Sequence, residues 1–351
     1  MSGGRAVGYL LTASPTWIGE RVRKMSTTIW LNLDEQKVDV TCLDRRFAEK
    51  GYHFIKKPVP AGDEAAAIEM GSQADIVIST WEPWNVRTLS AVKGKVKYIV
   101  RYGAGLDNID IPAATAQGIP VGNVPGANAA AVAETALIHI LNAGRRFCHC
   151  VEGCRRGNWP STITGNELDG KVVGLLGFGN IGKQLVRMLK GFEVQVMVYD
   201  PYLPKEAAEA QGVVFVDNMD DIFRKSDIVS LHIPLTEETV GLVDREKLAL
   251  MKPTAYLINT CRGKVVREQD LIDALKEGKI QGAGLDVLDR EPPALDNPLL
   301  QMDNVFITSH MGAASLESEY RSQVIIADCI DAFVNGEIPY NVKNKEVFDR
   351  G

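Results

Sequence analysis

The chain has 351 residues, of which 45% are hydrophobic and 24% charged, and its formal net charge is −6. These values are typical of a soluble globular protein with enough residues for two domains, and the acidic balance argues against a nucleic-acid surface, which needs clustered Lys and Arg. No apolar run approaches the roughly 18 residues of a membrane span, so no membrane partner is expected. Six cysteines without framework spacing favour a cytoplasmic location.

The first third of the chain is predicted to alternate strands and helices, which favours a parallel sheet with helices on both faces. Helical patterns cover, for example, Arg45–Lys50 and Asp63–Met70. No glycine-rich loop follows the first predicted strand, so this part is not expected to hold a nucleotide. The predicted strands are Ala6–Leu11, Val38–Leu43, Ile76–Ser79, Tyr98–Arg101 and Ile119–Gly122.

The turn-rich residues Gly122–Gly126 precede an alanine-rich helical pattern over Asn128–Phe147. A Cys-His-Cys run at 148–150 and Cys154 follow it. On a helix, residues i and i+2 point to different faces, and a second ligand pair at metal-site spacing is missing. These thiols are therefore predicted to be buried or solvated groups, and no metal site is predicted.

A dinucleotide-binding turn is predicted after the apolar strand Val172–Leu176. The Gly177-x-Gly179-x-x-Gly182 pattern allows a tight turn, a close backbone approach to a pyrophosphate and close packing of the following helix, whose N-terminus favours phosphate. Asp200 ends the next apolar strand. Its carboxylate can accept hydrogen bonds from both ribose hydroxyls and would repel a 2′-phosphate, so NAD is the expected cofactor.

The alternation resumes after Asp200 and, with the strands around the glycine pattern, predicts about seven strands of a doubly wound sheet. The predicted strands include Val194–Tyr199, Val213–Val216, Ile228–His232, Ala255–Asn259, Ala283–Asp286 and Val305–Thr308. Helices are predicted at Asp217–Ser226, Arg245–Leu250, Glu268–Glu277 and Ser318–Asn335.

Four polar residues follow the predicted strand ends of the second half: Arg262, Asp286, Glu291 and His310. Ligands of open α/β sheets bind at the carboxyl ends of strands. Each residue alone could be a surface or structural group. Together they fit hydride transfer to a 2-oxo acid, which needs a cation for the carboxylate, a proton donor for the developing alkoxide and a carboxylate to orient that donor.

The motifs LLGFGNIG, LHIPLTEET, NTCRGKVV, AGLDVLDREPP, TSHMGAAS and RYGAGLDNID resemble, in order and spacing, the D-isomer-specific 2-hydroxyacid dehydrogenase family over about residues 75 to 340. The resemblance implies an α/β chain of two doubly wound parallel-sheet domains. An NAD-binding Rossmann domain, 123–317, is inserted into a flavodoxin-like substrate domain of 1–122 and 318–351. It also implies a homodimer, with the Asn128–Phe147 helix near the subunit contact.

The resemblance assigns a role to each matching residue. Arg262 is the expected substrate-binding and carbonyl-polarising arginine, and Glu291 and His310 the expected acid/base pair. The expected cofactor contacts are Gly177, Gly179, Asn180, Ile181, Gly182, Asp200, His232, Ile233, Pro234, Thr239, Thr260, Cys261, Arg262, Asp286, His310, Gly312 and Ala313. The expected substrate contacts are Arg101, Gly103, Ala104, Gly105, Arg262 and His310.

The physiological acid is left open by the sequence. The resemblance gives two opposing indications. Family members that act on phosphorylated or dicarboxylic acids can use an arginine at the position of Arg101. The family's phosphoglycerate enzymes often place basic residues just after a tryptophan like Trp159, where this chain has none, which argues against a phosphate pocket. Trp81 and Trp84 fit either a wall for a bulky or aromatic acid or ordinary packing. Glu291 disfavours a formate dehydrogenase, which is expected to pair its histidine with Gln. The alternative function is a non-enzymatic NAD-sensing protein, like the corepressors of this fold.

Overall fold

The computed structural model describes residues 27–34, 38–159 and 163–349. The chain divides into two compact units, the first formed by Met1–Pro125 with Tyr320–Gly351 and the second by Gly126–Glu319. The sequence places the domain boundaries after residues 122 and 317, and the role of each domain stays a prediction. Within the described residues, no helix combines the length and apolarity that crossing a bilayer requires.

The first unit contains a five-stranded parallel sheet in the order β2-β1-β3-β4-β5, which is the flavodoxin-like order. All four residues of β3 and of β4 are buried, as expected for inner strands of a parallel sheet that is covered on both faces. The strands are β1 (Thr28–Leu31), β2 (His53–Lys56), β3 (Ile76–Ser79), β4 (Tyr98–Arg101) and β5 (Val121–Gly122). The helices are α1 (Thr41–Lys50), α2 (Glu64–Gly71), α3 (Val86–Ala91) and α4 (Ile111–Gln117).

The predicted strand Val38–Leu43 is wrong. Thr41 begins α1, whose Leu43 and Phe47 are one helical turn apart and buried. Asp39 accepts hydrogen bonds from the backbone N–H and the hydroxyl of Thr41, which favours a helix start. The strand of this region is β1, which the sequence analysis did not predict. The predicted strand Ala6–Leu11 lies outside the described residues.

The second unit contains a seven-stranded parallel sheet in the order β12-β11-β10-β9-β6-β7-β8, so the predicted strand number and doubly wound topology are confirmed. The strands are β6 (Val172–Leu176), β7 (Gln195–Tyr199), β8 (Val214–Phe215), β9 (Ile228–Leu231), β10 (Tyr256–Asn259), β11 (Gly282–Leu285) and β12 (Val305–Ile307). The helices are α5 (Ala129–Arg145), α6 (Phe147–Arg155), α7 (Asn180–Leu189), α8 (Lys205–Glu209), α9 (Met219–Lys225), α10 (Arg245–Leu250) and α11 (Glu268–Lys276). A last helix, α12 (Leu316–Val334), lies mostly in the first unit.

The predicted helix Asn128–Phe147 is shorter than expected. It ends at Arg145 because Arg146 adopts a left-handed conformation, with φ of +53°, and α6 begins directly after it. The inner face of α5 packs its alanines and Ile140 against α7 and the sheet. On α7, Leu185, Val186 and Leu189 are buried at helical spacing, which holds the start of α7 beside the end of β6.

Candidate active site

The glycine turn lies between β6 and α7. Gly177 has a φ of +94°, and a Cβ there would press against the carbonyl of His232. A Cβ on Gly182 would lie 2.9 Å from the carbonyl oxygen of Gly177, whereas Gly179 faces open space. No side chain caps the N-terminus of α7. The turn therefore presents helix amides to an open approach, which suits a pyrophosphate.

Asp200 follows β7 and organises the turn from the neighbouring strand. Its Oδ2 accepts a hydrogen bond from the backbone N–H of Phe178, and its Oδ1 accepts one from the backbone N–H of Tyr202, both at 2.9 Å. A carboxylate has about four acceptor positions, so these two bonds leave capacity for two hydroxyls. The geometry is compatible with the predicted ribose contact.

Two buried polar atoms near the strand ends have no hydrogen-bond partner among the described residues: the Thr260 hydroxyl and Nδ1 of His232. Buried polar atoms are normally paired, so an unpaired one at a strand end points to a ligand. The other ring nitrogen of His232 lies 2.9 Å from the Ser230 hydroxyl. Burial lowers the pKa of His232 to about 4, so its ring is neutral at physiological pH.

The other predicted cofactor residues differ in how they are used. Thr239 supports the loop after β9, because its hydroxyl donates to the Pro234 carbonyl and accepts from the Thr236 amide, both at 2.7 Å. Ile233 is half-buried, and a Cβ on Gly177 would contact it. Burial raises the pKa of the Cys261 thiol to about 11, so Cys261 is no thiolate nucleophile. The exposed members are Gly179, Asn180, Pro234 and Ala313, while Ile181 is half-buried.

Arg262, Asp286 and His310 follow three neighbouring strands. Asn259 of β10 lies opposite Leu285 of β11, which lies opposite Ile307 of β12. The three predicted functional residues therefore follow the carboxyl ends of adjacent parallel strands.

The loop of Arg262 is locked to the loop that leads to Glu291. A Cβ on Gly263 would overlap the carbonyl of Leu288, so only glycine allows this approach of two backbones. The guanidinium of Arg262 donates from Nη1 to the Cys261 carbonyl at 2.6 Å, and the side chain of Asn259 donates to the Arg262 carbonyl at 2.9 Å. The arginine side chain and its backbone are thus both fixed.

Asp286 is 2% exposed and forms the centre of a hydrogen-bond network. Its Oδ1 accepts from the Thr308 hydroxyl at 2.6 Å and from the Met311 amide at 2.9 Å. Its Oδ2 accepts from the Gly312 amide at 2.8 Å, and a Cβ on Gly312 would crowd that oxygen. Three of about four acceptor positions are occupied, which leaves Oδ2 able to accept one more donor.

His310 and Glu291 form an ion-pair geometry. Nδ1 of His310 lies 2.6 Å from Oε2 of Glu291, and Oε1 of Glu291 accepts from the Leu288 amide at 3.0 Å. The imidazole is 29% exposed, so it is open to a small molecule. His310 also has a φ of +53°, which is unusual for a residue other than glycine.

The predicted substrate loop lies in the first unit, after β4. The Gly103 amide donates to the Arg101 carbonyl at 2.9 Å, which leaves it unavailable to a ligand. Within the described residues, the amides of Ala104 and Gly105 have no hydrogen-bond partner. The Ala104 carbonyl accepts from the Asn123 side chain at 2.6 Å, which fixes the loop.

Arg101 is 7% exposed, and its guanidinium lies 4.8 Å from the ring centroid of Trp81. The neighbouring Glu82 is fully buried and accepts hydrogen bonds from Asn32, from the Thr80 amide at 3.0 Å and from Nε1 of Trp84 at 3.1 Å. Trp84 is therefore a packing residue, whereas Trp81 is 59% exposed beside the loop.

Sequence reasoning did not identify Glu82, Thr308 or His139 as organisers of these loops. Thr308 lies two residues before His310 at the end of a predicted strand, and this position could have indicated a contact near the site. The contact of His139 with Thr308, at 3.0 Å from Nε2 to Oγ1, was not visible in the sequence. Asp110 caps α4 by accepting a hydrogen bond from the Ala113 amide at 2.8 Å.

Comparisons with known proteins place the chain in a family. Residues 137–312 match the family described as D-isomer specific 2-hydroxyacid dehydrogenase, NAD binding domain. The chain is 41% identical over 278 residues to D-3-phosphoglycerate dehydrogenase of Methanocaldococcus jannaschii, a match that covers 79% of this chain and 53% of that protein. It is 38% identical over 286 residues to glyoxylate reductase of Korarchaeum cryptofilum, covering 80% of this chain and 86% of that protein.

A solved structure supports the same assignment. NAD-dependent formate dehydrogenase from Staphylococcus aureus, in complex with NAD, superimposes with a TM-score of 0.77 at 28% identity, covering 89% of this chain and 96% of that one. The prediction of NAD as the cofactor is confirmed at the level of the family. The chain belongs to the D-isomer specific 2-hydroxyacid dehydrogenase family of NAD-dependent oxidoreductases.

Proposed function

We propose that this protein interconverts a 2-oxo acid and the corresponding D-2-hydroxy acid, with NAD as cofactor. Bound NAD supplies or accepts the hydride. The observation that carries the proposal is the 2.6 Å pair of His310 and Glu291, which follows strand ends on the same sheet as the glycine turn. An imidazole backed by a carboxylate is an effective proton donor near neutral pH.

The hydrogen bonds of His310 decide which ring nitrogen exchanges the proton. Nδ1 is bound to Glu291, so Nε2 is the nitrogen that faces the substrate oxygen. In the reductive direction protonated His310 donates from Nε2 to the developing alkoxide, and the Glu291 carboxylate stabilises the imidazolium. In the oxidative direction neutral His310 accepts the hydroxyl proton at the same atom.

Arg262 is the residue proposed to hold the substrate carboxylate and polarise the carbonyl. Its guanidinium is anchored by the Cys261 carbonyl, and its loop is fixed by Asn259 and by the packing of Gly263. An arginine held in place before binding loses little entropy when it grips a carboxylate. The Ala104 and Gly105 amides are proposed to contribute further hydrogen bonds to the substrate.

The relatives described above are named for acids of different size, so the substrate class of this chain is a proposal. Arg101 lies under Trp81 and is already engaged with the Tyr102 carbonyl and Asn108. The guanidinium therefore stabilises the loop after β4, and this role does not require a second anionic group on the substrate. We infer a small 2-oxo acid, of the size of glyoxylate or hydroxypyruvate, as the preferred substrate.

Self-association and a cytoplasmic location complete the proposal. Ile138 on α5 and Phe147 on α6 are each 64% exposed, and such apolar exposure on adjacent helices supports a homodimer. All six cysteines are free thiols, which fits a reducing compartment. Light scattering on the purified chain measures the oligomer directly.

A non-enzymatic NAD sensor is the rival function. The relatives reported above are named dehydrogenases and reductases, and they do not favour it. The two functions differ in a simple assay, because a sensor binds NADH without oxidising it.

The test follows NADH and NADPH oxidation with glyoxylate, hydroxypyruvate, phenylpyruvate and 3-phosphohydroxypyruvate. The proposal expects NADH-dependent reduction of at least one acid, fastest with glyoxylate or hydroxypyruvate. His310→Asn is expected to bind NADH with unchanged affinity and to lose turnover, and Arg262→Ala to lose several kcal/mol of transition-state stabilisation, roughly 3. NADH binding by the wild type without oxidation with any acid would support the sensor instead.

A further inference from the structure

His139 is a buried polar residue that the proposed chemistry does not use. It lies in the middle of the alanine-rich helix α5 and is 2% exposed. Its Nε2 is 3.0 Å from the Thr308 hydroxyl, and that hydroxyl is 2.6 Å from Oδ1 of Asp286. The three side chains form a continuous hydrogen-bonded chain from the helix to the carboxylate that follows β11.

The direction of this chain follows from the donors that each group has. An ionised carboxylate only accepts, so the single hydroxyl proton of Thr308 is donated to Asp286. Towards His139 the same hydroxyl can then only accept, which requires the proton of the ring to be on Nε2. Burial lowers the pKa of His139 below its usual range, partly opposed by the charge of Asp286, which agrees with a neutral ring.

The fold makes room for the imidazole at this place. A Cβ on Gly284, inside β11, would lie 2.9 Å from Cβ of His139 and 3.0 Å from its Nδ1. The glycine therefore lets the histidine approach the strand closely. The contact with Nδ1 is specific to histidine, whereas the contact with Cβ would arise with any side chain at 139.

Asp286 fixes the backbone around His310 through three hydrogen bonds. Its carboxylate accepts the amides of Met311 and Gly312, and its own carbonyl accepts the His310 amide at 2.8 Å. The backbone is thus held at His310 and at the two following residues. This explains how His310 keeps its left-handed conformation, with φ of +53°.

We propose that His139 is a positioning residue for His310: with Thr308 it orients the Asp286 carboxylate, which fixes the loop that aims the imidazole at Glu291 and the substrate. The inference rests on the proposed function, because it concerns the same proton donor. It adds two residues, His139 and Thr308, which act on His310 through Asp286. Chained hydrogen bonds strengthen one another in a buried site, so the effect of losing one link reaches the carboxylate.

The kinetic test uses His139→Leu and Thr308→Val, which remove a link and keep the volume similar, with the double variant and the conservative His139→Gln and Thr308→Ser. Each single disruption is expected to lower kcat about tenfold with the KM for the 2-oxo acid within about twofold, since Arg262 is untouched. The double variant should fall no further than Thr308→Val, because both changes break one chain. The conservative variants should recover most of the rate.

The pH profile separates positioning from general loss of stability. Reduction needs protonated His310, and the Glu291 carboxylate, whose Oε2 lies 2.6 Å from Nδ1, stabilises the imidazolium. A misplaced ring loses part of that contact, so the alkaline limb of kcat should move to lower pH in His139→Leu and Thr308→Val. An unmoved limb with kcat within twofold of wild type, or losses that multiply in the double variant, would overturn the inference.

A spectroscopic test does not depend on turnover. The chain has only five histidines, so nitrogen-15 NMR can resolve the tautomer of each ring. His139 should stay neutral with its proton on Nε2, and the His310 signals should shift in His139→Leu. Unchanged His310 signals, or a proton on Nδ1 of His139, would contradict positioning even if the wild type is active. A wild type inactive on every acid would contradict the proposed function instead, and the NMR result would still decide on positioning.

Discussion

Among the residues that the structure describes, each unit buries one carboxylate, and the two accept hydrogen bonds from different kinds of donor. Glu82 in the first unit is fully buried, and Asp286 in the second is 2% exposed. Among the described residues, neither forms an ion pair with Lys, Arg or His. Burying a charge without a counter-ion is costly, so both depend on neutral donors.

The donors show what each carboxylate is for. Glu82 accepts hydrogen bonds from the side chains of Asn32 and Trp84 and from the Thr80 amide. It therefore joins the turn after β3 to the end of β1. Asp286 accepts hydrogen bonds from the backbone amides of Met311 and Gly312, which follow the next strand, β12. One acceptor position remains on its Oδ2. Each carboxylate therefore accepts at least three hydrogen bonds, and the difference lies in what the donors belong to. Those of Glu82 stabilise the fold of the first unit, whereas two of those of Asp286 are amides of the loop that carries His310.

Asp286→Asn is expected to have the strongest effect on function. Both oxygens of Asp286 accept backbone N–H groups, so the Nδ2 donor of an asparagine would face another donor. The loop that carries His310 would then have to shift. We expect kcat for 2-oxo acid reduction to fall at least about 100-fold, a loss of roughly 3 kcal/mol, and NADH to bind more weakly. Asp296→Asn, at an exposed site, is the matched control. A variant with near-normal turnover would remove the difference between the two carboxylates.

Glu82→Gln tests the other side of the comparison. One oxygen of the carboxylate is replaced by a donor that faces the donors of Asn32, Thr80 or Trp84, all of them buried. We expect the free energy of unfolding to fall by about 2–3 kcal/mol, measured in urea, with the affinity for NADH unchanged. The exposed Glu49→Gln should change neither quantity. Loss of NADH affinity in Glu82→Gln would mean that Glu82 is more than a structural group.

Gly263 in the second unit and Gly71 in the first differ in what an added side chain would touch. A Cβ on Gly263 would overlap the backbone of Leu288, whereas a Cβ on Gly71 would meet the tip of the Trp84 ring and a methyl group of Val92. A backbone carbonyl within a fixed loop cannot move aside as a side chain can.

Gly263→Ala is therefore expected to cost more than Gly71→Ala, about 1–3 kcal/mol of unfolding free energy against about 1 kcal/mol or less. Because Gly263 joins the Arg262 and Glu291 loops, Gly263→Ala should also lower kcat, whereas Gly71→Ala should not. Gly191→Ala, where the nearest atom is 3.8 Å from the added Cβ, controls for the change in backbone entropy. Equal costs at Gly263 and Gly71 would contradict the contrast in packing.

The sequence predicted the second unit better than the first for a physical reason. Most of its strands are apolar runs such as Val172–Leu176, and a buried parallel strand has that composition. The inner strands β3 and β4 of the first unit share it and were predicted as well. In the first unit, β1 has four residues, and Val38–Leu43 was wrongly predicted as a strand because it alternates apolar and polar residues over too few positions to show a helical period.

The candidate site also has a part that the sequence predicted and a part that it did not. Strand-end residues such as Arg262 and Asp286 could be located because the topology brings parallel strand ends together. The networks that hold them could not, because the pairing of His139 with Thr308 joins residues 169 positions apart. A single histidine in an alanine-rich helix resembles any other buried residue until its neighbour across the helix–sheet interface is known. The roles assigned to Arg262, Glu291 and His310 stay predictions.

Acid should weaken the second unit first. It contains both histidines whose pKa is lowered by burial, His139 and His232, whereas His53 of the first unit is exposed. Below the ordinary pKa of about 6.5 the unfolded chain binds protons that the folded chain does not, so the free energy of unfolding should fall as the pH drops from there towards 4. His139→Leu and His232→Gln, measured in urea over this range, should each flatten that fall relative to wild type, and His53→Gln should leave it unchanged. A slope that depends on His53, or on neither buried ring, would place the acid-sensitive groups elsewhere.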